Sequence, residues 1–215
     1  MNPAPLVVHC IRHGESCSNA GLITNDPETV PLTELGRSQA ISACETLRLL
    51  SPDLIISSPL PRAIQTAQPT LATFPEVPVE TWPLIKEFGI LASARWAGTT
   101  KDDRRPWRQA YWNKSDPGFV DGEGAESFST FISRVRKTLL SLEELYQKGQ
   151  RNIIIFGHGQ FFLAMRWIIM ENPQVTPETM QALRHIFKTA PFENGTGFTA
   201  TFDGKAWTIC ERQAT

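Results

Sequence analysis

No apolar stretch in the chain approaches the length needed to cross a bilayer. The opening Met1-Asn2-Pro3-Ala4-Pro5 has no basic segment, and the apolar run at 6–11 is too short for the core of a secretory signal. Cysteine is scarce: Cys10, Cys17, Cys44 and Cys210 are the four in 215 residues, and none forms a C-x-x-C pair. That excludes a disulfide framework and points to free thiols in a reducing, cytoplasmic setting. Cys17, following Ser16, reads as a small filler residue rather than a nucleophile. Net charge is nearly absent, at −1, so the chain has no general attraction for nucleic acid or an anionic membrane. Attraction for an anion must come from a local cluster. No internal repeat, low-complexity tract or interdomain linker is visible. With 41% hydrophobic and 20% charged residues, positions 1–215 read as a single folded domain of undetermined oligomeric state. His9 and His185 raise the question of a metal. No histidine pair has zinc spacing and no acidic cluster suggests magnesium, so neither metal nor cofactor is expected. His9, inside an apolar strand, reads as a hydrogen-bonded core residue.

What is present is a strand–helix alternation. Apolar runs at 6–11, 53–57 and 152–156 read as buried strands. Thr33 is a plausible N-cap for a helix to about Leu50, with Leu32 as its staple. Pro59 and Pro61 open a helix to about Ala72. From Ser127 to Lys148 apolar residues recur at helical spacing, and Gly149 ends the run. Positions 161–170 form an apolar helix. Asp203-Gly204, between 197–202 and 206–211, signals a hairpin. The segment from about 75 to 124 is irregular, with a helix near 104–112, and reads as an insertion; its tryptophans read as core or wall. Lys101 to Arg105, a mixed-charge run, reads as the solvated start of that helix, with a substrate clamp as the alternative because the insertion covers the site. The fold class is therefore α/β: a three-layer α/β/α sandwich with a mostly parallel sheet, an antiparallel C-terminal strand, and an insertion over the edge that carries the site.

Two buried strands end in similar chemistry, Arg12-His13-Gly14 and Gly157-His158-Gly159. In a parallel sheet the carboxyl ends of the strands share one edge, so both imidazoles could reach one pocket. The strand at 53–57 ends there too and delivers Arg62. Guanidinium forks match phosphate oxygens through charge-assisted bonds. The glycines at 14, 157 and 159 let backbone approach a ligand, and N–H groups after His158, beginning with Gly159, could point at an oxyanion if a helix starts there. A neutral imidazole held at one nitrogen is a competent nucleophile toward phosphorus, and the transition state asks mainly for positioning and charge stabilisation. The leaving oxygen needs a proton, which a carboxyl can supply.

At this point the chain resembles a known family. Arg12-His13-Gly14-Glu15-Ser16 with Asn19, then Leu32 to Ala40, then Ser57 to Ala67, Gly124-Ala125-Glu126-Ser127-Phe128 and Gly157-His158-Gly159 are similar, in order, to motifs of the histidine phosphatase superfamily, the phosphoglycerate-mutase-like fold. The resemblance implies that His13 accepts the phosphoryl group. It implies that Arg12, Arg62 and His158 hold that group, that Asn19 adds a hydrogen bond, and that Glu87 is the general acid. Glu15 takes a supporting role; Glu123 and Glu126, on the loop before the helix at 127–148, are rival acids, of which Glu126 reads rather as a residue that caps or orients within the site. The phosphatase branch is the better match: a metal-independent phosphomonoester hydrolase acting on a small phosphorylated substrate. His13 must be neutral to attack and Glu87 protonated to donate, so the pH profile should be bell-shaped.

Superfamily phosphatases often carry Trp-Glu-Gly soon after the acid. Here Trp96-Ala97-Gly98 stands in that place, so the pocket walls do not carry over. Phosphoglycerate mutase-type transfer and a non-catalytic phosphate-binding module stand as alternatives.

Overall fold

A computed structural model describes residues 3–210 of the chain. Its centre is a six-stranded sheet in the order β3-β2-β4-β1-β5-β6. The strands are β1 (Leu6–Arg12), β2 (Leu54–Ser57), β3 (Val79–Thr81), β4 (Asn152–Gly157), β5 (Gly197–Phe202) and β6 (Trp207–Cys210). The helices are α1 (Glu34–Leu47), α2 (Pro61–Thr73), α3 (Arg105–Asn113), α4 (Phe128–Gln147), α5 (Gly159–Glu171) and α6 (Pro177–Thr189). β1 runs parallel to β4, β4 to β2 and β2 to β3, while β5 is antiparallel to β1 and β6 antiparallel to β5. The C-terminal hairpin thus extends an otherwise parallel sheet. The expected last strand, 206–211, ends on Glu211, which lies outside the described residues.

Side-chain alternation explains why the central strands are apolar throughout. Leu6, Val8, Cys10, Leu54, Ile56, Ile153 and Ile155 face one core, filled from the other side by α4, α5 and α6. Ile11, Ile55, Ile154 and Phe156 face the opposite core, closed by Ala43 and Leu47 of α1 and Ala67 of α2. Helices cover both faces, so the architecture is the expected three-layer α/β/α sandwich. Thr33 caps α1 by accepting from the Gly36 N–H, and Ser127 caps α4 by accepting from Thr130 N–H, each cap contributing about 1 kcal/mol. Burial holds the Cys10 thiol neutral, its pKa raised, and all four cysteines are free thiols. His9 is half-buried, its Nδ1 3.2 Å from Thr199 Oγ1. Among the described residues no helix is long and apolar enough to cross a membrane.

Two glycines in the motifs have a packing reason. A Cβ on Gly36 would lie 2.1 Å from the Glu15 carbonyl oxygen, and one on Gly14 would lie 2.2 Å from the Gly36 carbonyl oxygen. The loop after β1 and the first turn of α1 therefore cross backbone against backbone, which only glycine permits.

Candidate active site

β1 and β4 are adjacent, parallel and in register at Arg12 and Gly157, and the His13 N–H donates to the Gly157 carbonyl at 2.9 Å. The next residue on each strand is a histidine, so register alone brings the two imidazoles together. Their ring centroids lie 5.2 Å apart, edge to face at 62°. His13 Nδ1 lies 2.6 Å from the Gly14 carbonyl oxygen. A carbonyl only accepts, so Nδ1 carries the proton and Nε2 keeps its lone pair.

The motifs interlock around this loop. Gly14 N–H donates to Thr66 Oγ1, Glu15 N–H to Gln39 Oε1, Thr33 Oγ1 to Glu15 Oε1, and Leu32 N–H to Gln65 Oε1. Glu15 thereby ties the loop to the N-cap of α1.

Both imidazoles are buried, and their pKa values lie well below the ordinary 6.5. For His13 the cause is burial, then the Arg62 and Arg12 charges, only partly opposed by the bond to Gly14. For His158 it is burial, then Arg62, His13, Arg134 and Arg12. His158 Nε2 lies 2.8 Å from Ser58 Oγ, and its buried Nδ1 has no partner among the described residues.

Arg12 donates through Nη1 to the Phe192 carbonyl, and its Nε has no partner among the described residues. A Cβ on Gly159 would come within 3.1 Å of that Nε, so glycine at 159 lets the guanidinium lie against the start of α5. Arg62 is buried, donates from Nη1 to the Pro27 carbonyl at 2.9 Å, and has its pKa lowered to about 10 by burial, against the opposing charges of Glu87 and Glu28. Asn19 uses Oδ1 to accept from Ser16 N–H, Ser16 Oγ and Asn194 Nδ2, which leaves its own amide N–H groups for another acceptor.

Glu87 sits at the N-terminus of α5. Its Oε1 accepts from Phe88 N–H at 3.0 Å and Phe161 N–H at 3.1 Å, and its Oε2 accepts from Gln160 N–H at 3.2 Å. This corrects the expectation that the amides after His158 stand open to an anion. The N-cap, His158, gives no side-chain bond, so Glu87 takes the orphan donors of Gln160 and Phe161. Glu87 does not reach the Gly159 N–H, the first helical donor of α5.

Arg134 of α4 holds Glu87 in place. Its guanidinium donates to the carbonyls of Leu84, Lys86 and Glu87 and forms a fork with Glu126, with Nε to Oε2 at 2.8 Å and Nη2 to Oε1 at 2.5 Å. Glu126 also accepts from Gly89 N–H. The orienting part expected of Glu126 is thus played through Arg134, which sequence reasoning did not single out.

A cavity of about 300 Å³ gathers Arg12, His13, Asn19, Arg62, Glu87 and Gly159. His158 is fully buried beside His13. Leu91, Trp96, Leu163, Phe187 and Phe192 add apolar wall, and Arg108 of α3 adds a further cation. Arg108, Asn194 and Phe192 were also missed; they sit in segments without a motif. Lys101 to Arg105 is not a uniformly solvated helix start. Arg104 is 1% exposed, its guanidinium bonded to Thr24, Thr99 and Ser18 and stacked 3.9 Å from the Trp96 ring, and the helix begins only at Arg105. Burial follows because Arg104 stitches the insertion to the loop after β1.

Comparison with known proteins agrees with this geometry. Residues 8–197 match the family profile described as "Histidine phosphatase superfamily (branch 1)". The "Probable phosphoglycerate mutase GpmB" of Enterobacter sp. (strain 638) is 30% identical over 157 residues, covering 72% of this chain and 70% of that protein. The mannitol-1-phosphatase of Eimeria tenella is 27% identical over 195 residues; the match covers 72% of this chain but 62% of that protein, less than two thirds of its length. Among solved structures, the alpha-ribazole phosphatase of Shigella flexneri superposes with a TM-score of 0.75 at 24% identity, covering 95% of each chain. A mycobacterial glucosyl-3-phosphoglycerate phosphatase superposes with a TM-score of 0.71 at 22% identity, covering 99% of this chain and all of that one, 100%. These structures share the fold. The chain belongs to the histidine phosphatase superfamily, branch 1, whose characteristic mechanism passes a phosphoryl group through a phosphohistidine.

Proposed function

We propose that the protein hydrolyses small phosphomonoesters through a phosphohistidine on His13. The observation that carries this reading is the 2.6 Å contact from His13 Nδ1 to the Gly14 carbonyl, which leaves Nε2 with its lone pair beside two guanidinium groups. Nε2 attacks phosphorus, the bond from phosphorus to the ester oxygen breaks, and the departing oxygen takes a proton from Glu87. Oε2 of Glu87 accepts a single bond and has a lone-pair position left for that proton. Water then attacks the phosphohistidine, the P–N bond breaks, and Glu87 recovers the water proton. Arg12, Arg62, Asn19, the Gly159 N–H and His158 hold the equatorial oxygens. The unpartnered His158 Nδ1 supports this assignment: if the Ser58 hydroxyl donates to Nε2, Nδ1 carries the proton and is a donor awaiting an acceptor.

A cavity of about 300 Å³ suits a small molecule. The mannitol-1-phosphatase and glucosyl-3-phosphoglycerate phosphatase relatives favour a small organic phosphate, and the near-zero net charge gives nucleic acid no general hold. Positions 1–215 are read as one domain with 75–124 as its insertion, and the unpaired thiols fit a reducing, cytoplasmic setting. The test is phosphate release from p-nitrophenyl phosphate with chelator present. Wild type should turn over and His13→Ala should not; an inactive wild type, or a fully active His13→Ala, overturns the reading.

The mutase-named relative favours one second reading, return of the phosphoryl group to a phosphoglycerate. Isomerisation of phosphoglycerate that outruns phosphate release would select it.

A further inference from the structure

A second cleft, of about 510 Å³, opens beside the catalytic cavity and shares Arg12, Asn19 and Arg108 with it. It runs between α3 and α6 and is lined further by Lys101, Arg184 and Lys188. Its one acidic side chain, Asp102, is already paired with Arg105 at 2.6 Å. Among the described residues Lys101, Arg108, Arg184 and Lys188 have no carboxylate within ion-pair distance. The chain as a whole has a net charge of −1, so this cluster is a local excess of positive charge rather than a general one.

The cleft is built, not merely a stretch of surface. Gln181 of α6 donates to the Trp112 carbonyl at 2.6 Å and to Ser115 Oγ at 2.7 Å, which fastens α6 to the end of α3. Arg184 is held by neutral acceptors, Asn113 Oδ1 at 3.3 Å and Gln181 Oε1 at 3.2 Å, with its guanidinium 5.9 Å from the Trp112 ring centroid. Its buried Nε has no partner among the described residues. Lys101 reaches across the border between the two cavities to the Asn19 carbonyl at 3.3 Å. Cations outnumber carboxylates here, Glu87 acting on Arg12 and Arg108 only from beyond ion-pair distance, and such an excess in a concave site focuses a field that an anion relieves.

We propose that this cleft binds a second anionic group of the substrate, so that the preferred substrate is a small phosphomonoester bearing a further phosphate or carboxylate. The proposal rests on the reading that the reacting phosphoryl group sits at His13. Arg12, Asn19 and Arg108 form the shared wall, and Arg184, Lys188 and Lys101 receive the distal group.

The test compares a hexose monophosphate, a hexose bisphosphate and a phosphoglycerate, with p-nitrophenyl phosphate as control, in wild type and in an Arg184→Gln/Lys188→Gln double variant. Wild type should favour a substrate with a second anion by about tenfold or more in kcat/KM, mainly through KM, and the double variant should lose that preference. The bisphosphate and phosphoglycerate arms tell phosphate from carboxylate. Calorimetric binding of the same compounds to His13→Ala reads the Kd ratio without turnover. Failure of p-nitrophenyl phosphate hydrolysis in wild type would strike the hydrolase reading alone. Equal Kd values for mono- and bisphosphate and phosphoglycerate, or a preference unchanged in the double variant, would overturn the second anion site.

Discussion

The His13 and His158 rings meet edge to face with centroids 5.2 Å apart, and each charge would raise the cost of the other. Burial and the nearby arginines hold both imidazoles neutral well below pH 6.5. In the unfolded chain they would titrate near 6.5. Below that pH the unfolded state binds protons that the folded state refuses, so stability is kept above about pH 6.5 and lost as pH falls toward the lowered folded values. Side-chain NMR of the two rings should report neutral imidazole from pH 8 down through 6.5. Protonation of either ring at or above pH 6.5 would contradict the account.

Ser58→Ala removes the one partner of His158 Nε2 and leaves the ring with neither nitrogen bonded. The expected cost is about 1–3 kcal/mol, or roughly 2–10 °C in Tm for a chain of this size. Because the ring loses its orientation, kcat should fall more than KM rises. Calorimetry and steady-state kinetics check this; a variant with wild-type Tm and kcat would contradict it.

Arg134→Met strips the donors from three carbonyls at 84–87 and leaves Glu126 without its cation. Breaking such a pair costs about 3–5 kcal/mol. Glu126→Gln still offers an oxygen to Gly89 N–H and should cost less. Urea unfolding of the two variants should separate them by more than about 1 kcal/mol, with Arg134→Met the weaker. Equal stabilities would mean that the fork does not hold the 84–87 segment.

Glu87→Gln keeps an acceptor for the α5 amides but removes the transferable proton. Hydrolysis of an alkyl phosphate, whose leaving oxygen needs that proton, should fall by about 10²–10⁴. An aryl phosphate with a good leaving group should lose less than about tenfold. Equal losses on both substrates would remove Glu87 from the proton-transfer step.

How far the sequence could be read depended on where each signal resides. β2 and β4 were legible because both faces are buried over nearly their whole length, and β1 because one face, with Leu6, Val8 and Cys10, is buried and the other, with Val7 and His9, half-buried. α4 was legible because one face packs against the sheet. β3 was not: its three residues are all exposed and carry no pattern. α6 was also missed. Met180 and Leu183 are buried at helical spacing, but its capping box uses Thr179 where the usual signature has Glu or Gln. His13, Arg12, Arg62 and Gly159 are carried by local motifs, and Glu87 was placed only by the family resemblance; these residues line one cavity with Asn19, with His158 buried beside them. Arg134, Arg108 and the burial of Arg104 depend on contacts between segments far apart in the chain, which no local pattern encodes.

The measurement that bears most directly on the central assignment is rapid quench with ³²P-labelled substrate, followed by base-stable, acid-labile label analysis and peptide mapping. The account predicts label on the peptide containing His13 in wild type and none in His13→Ala. Label on Cys17 or His158, or no covalent label while phosphate is being released, would contradict it.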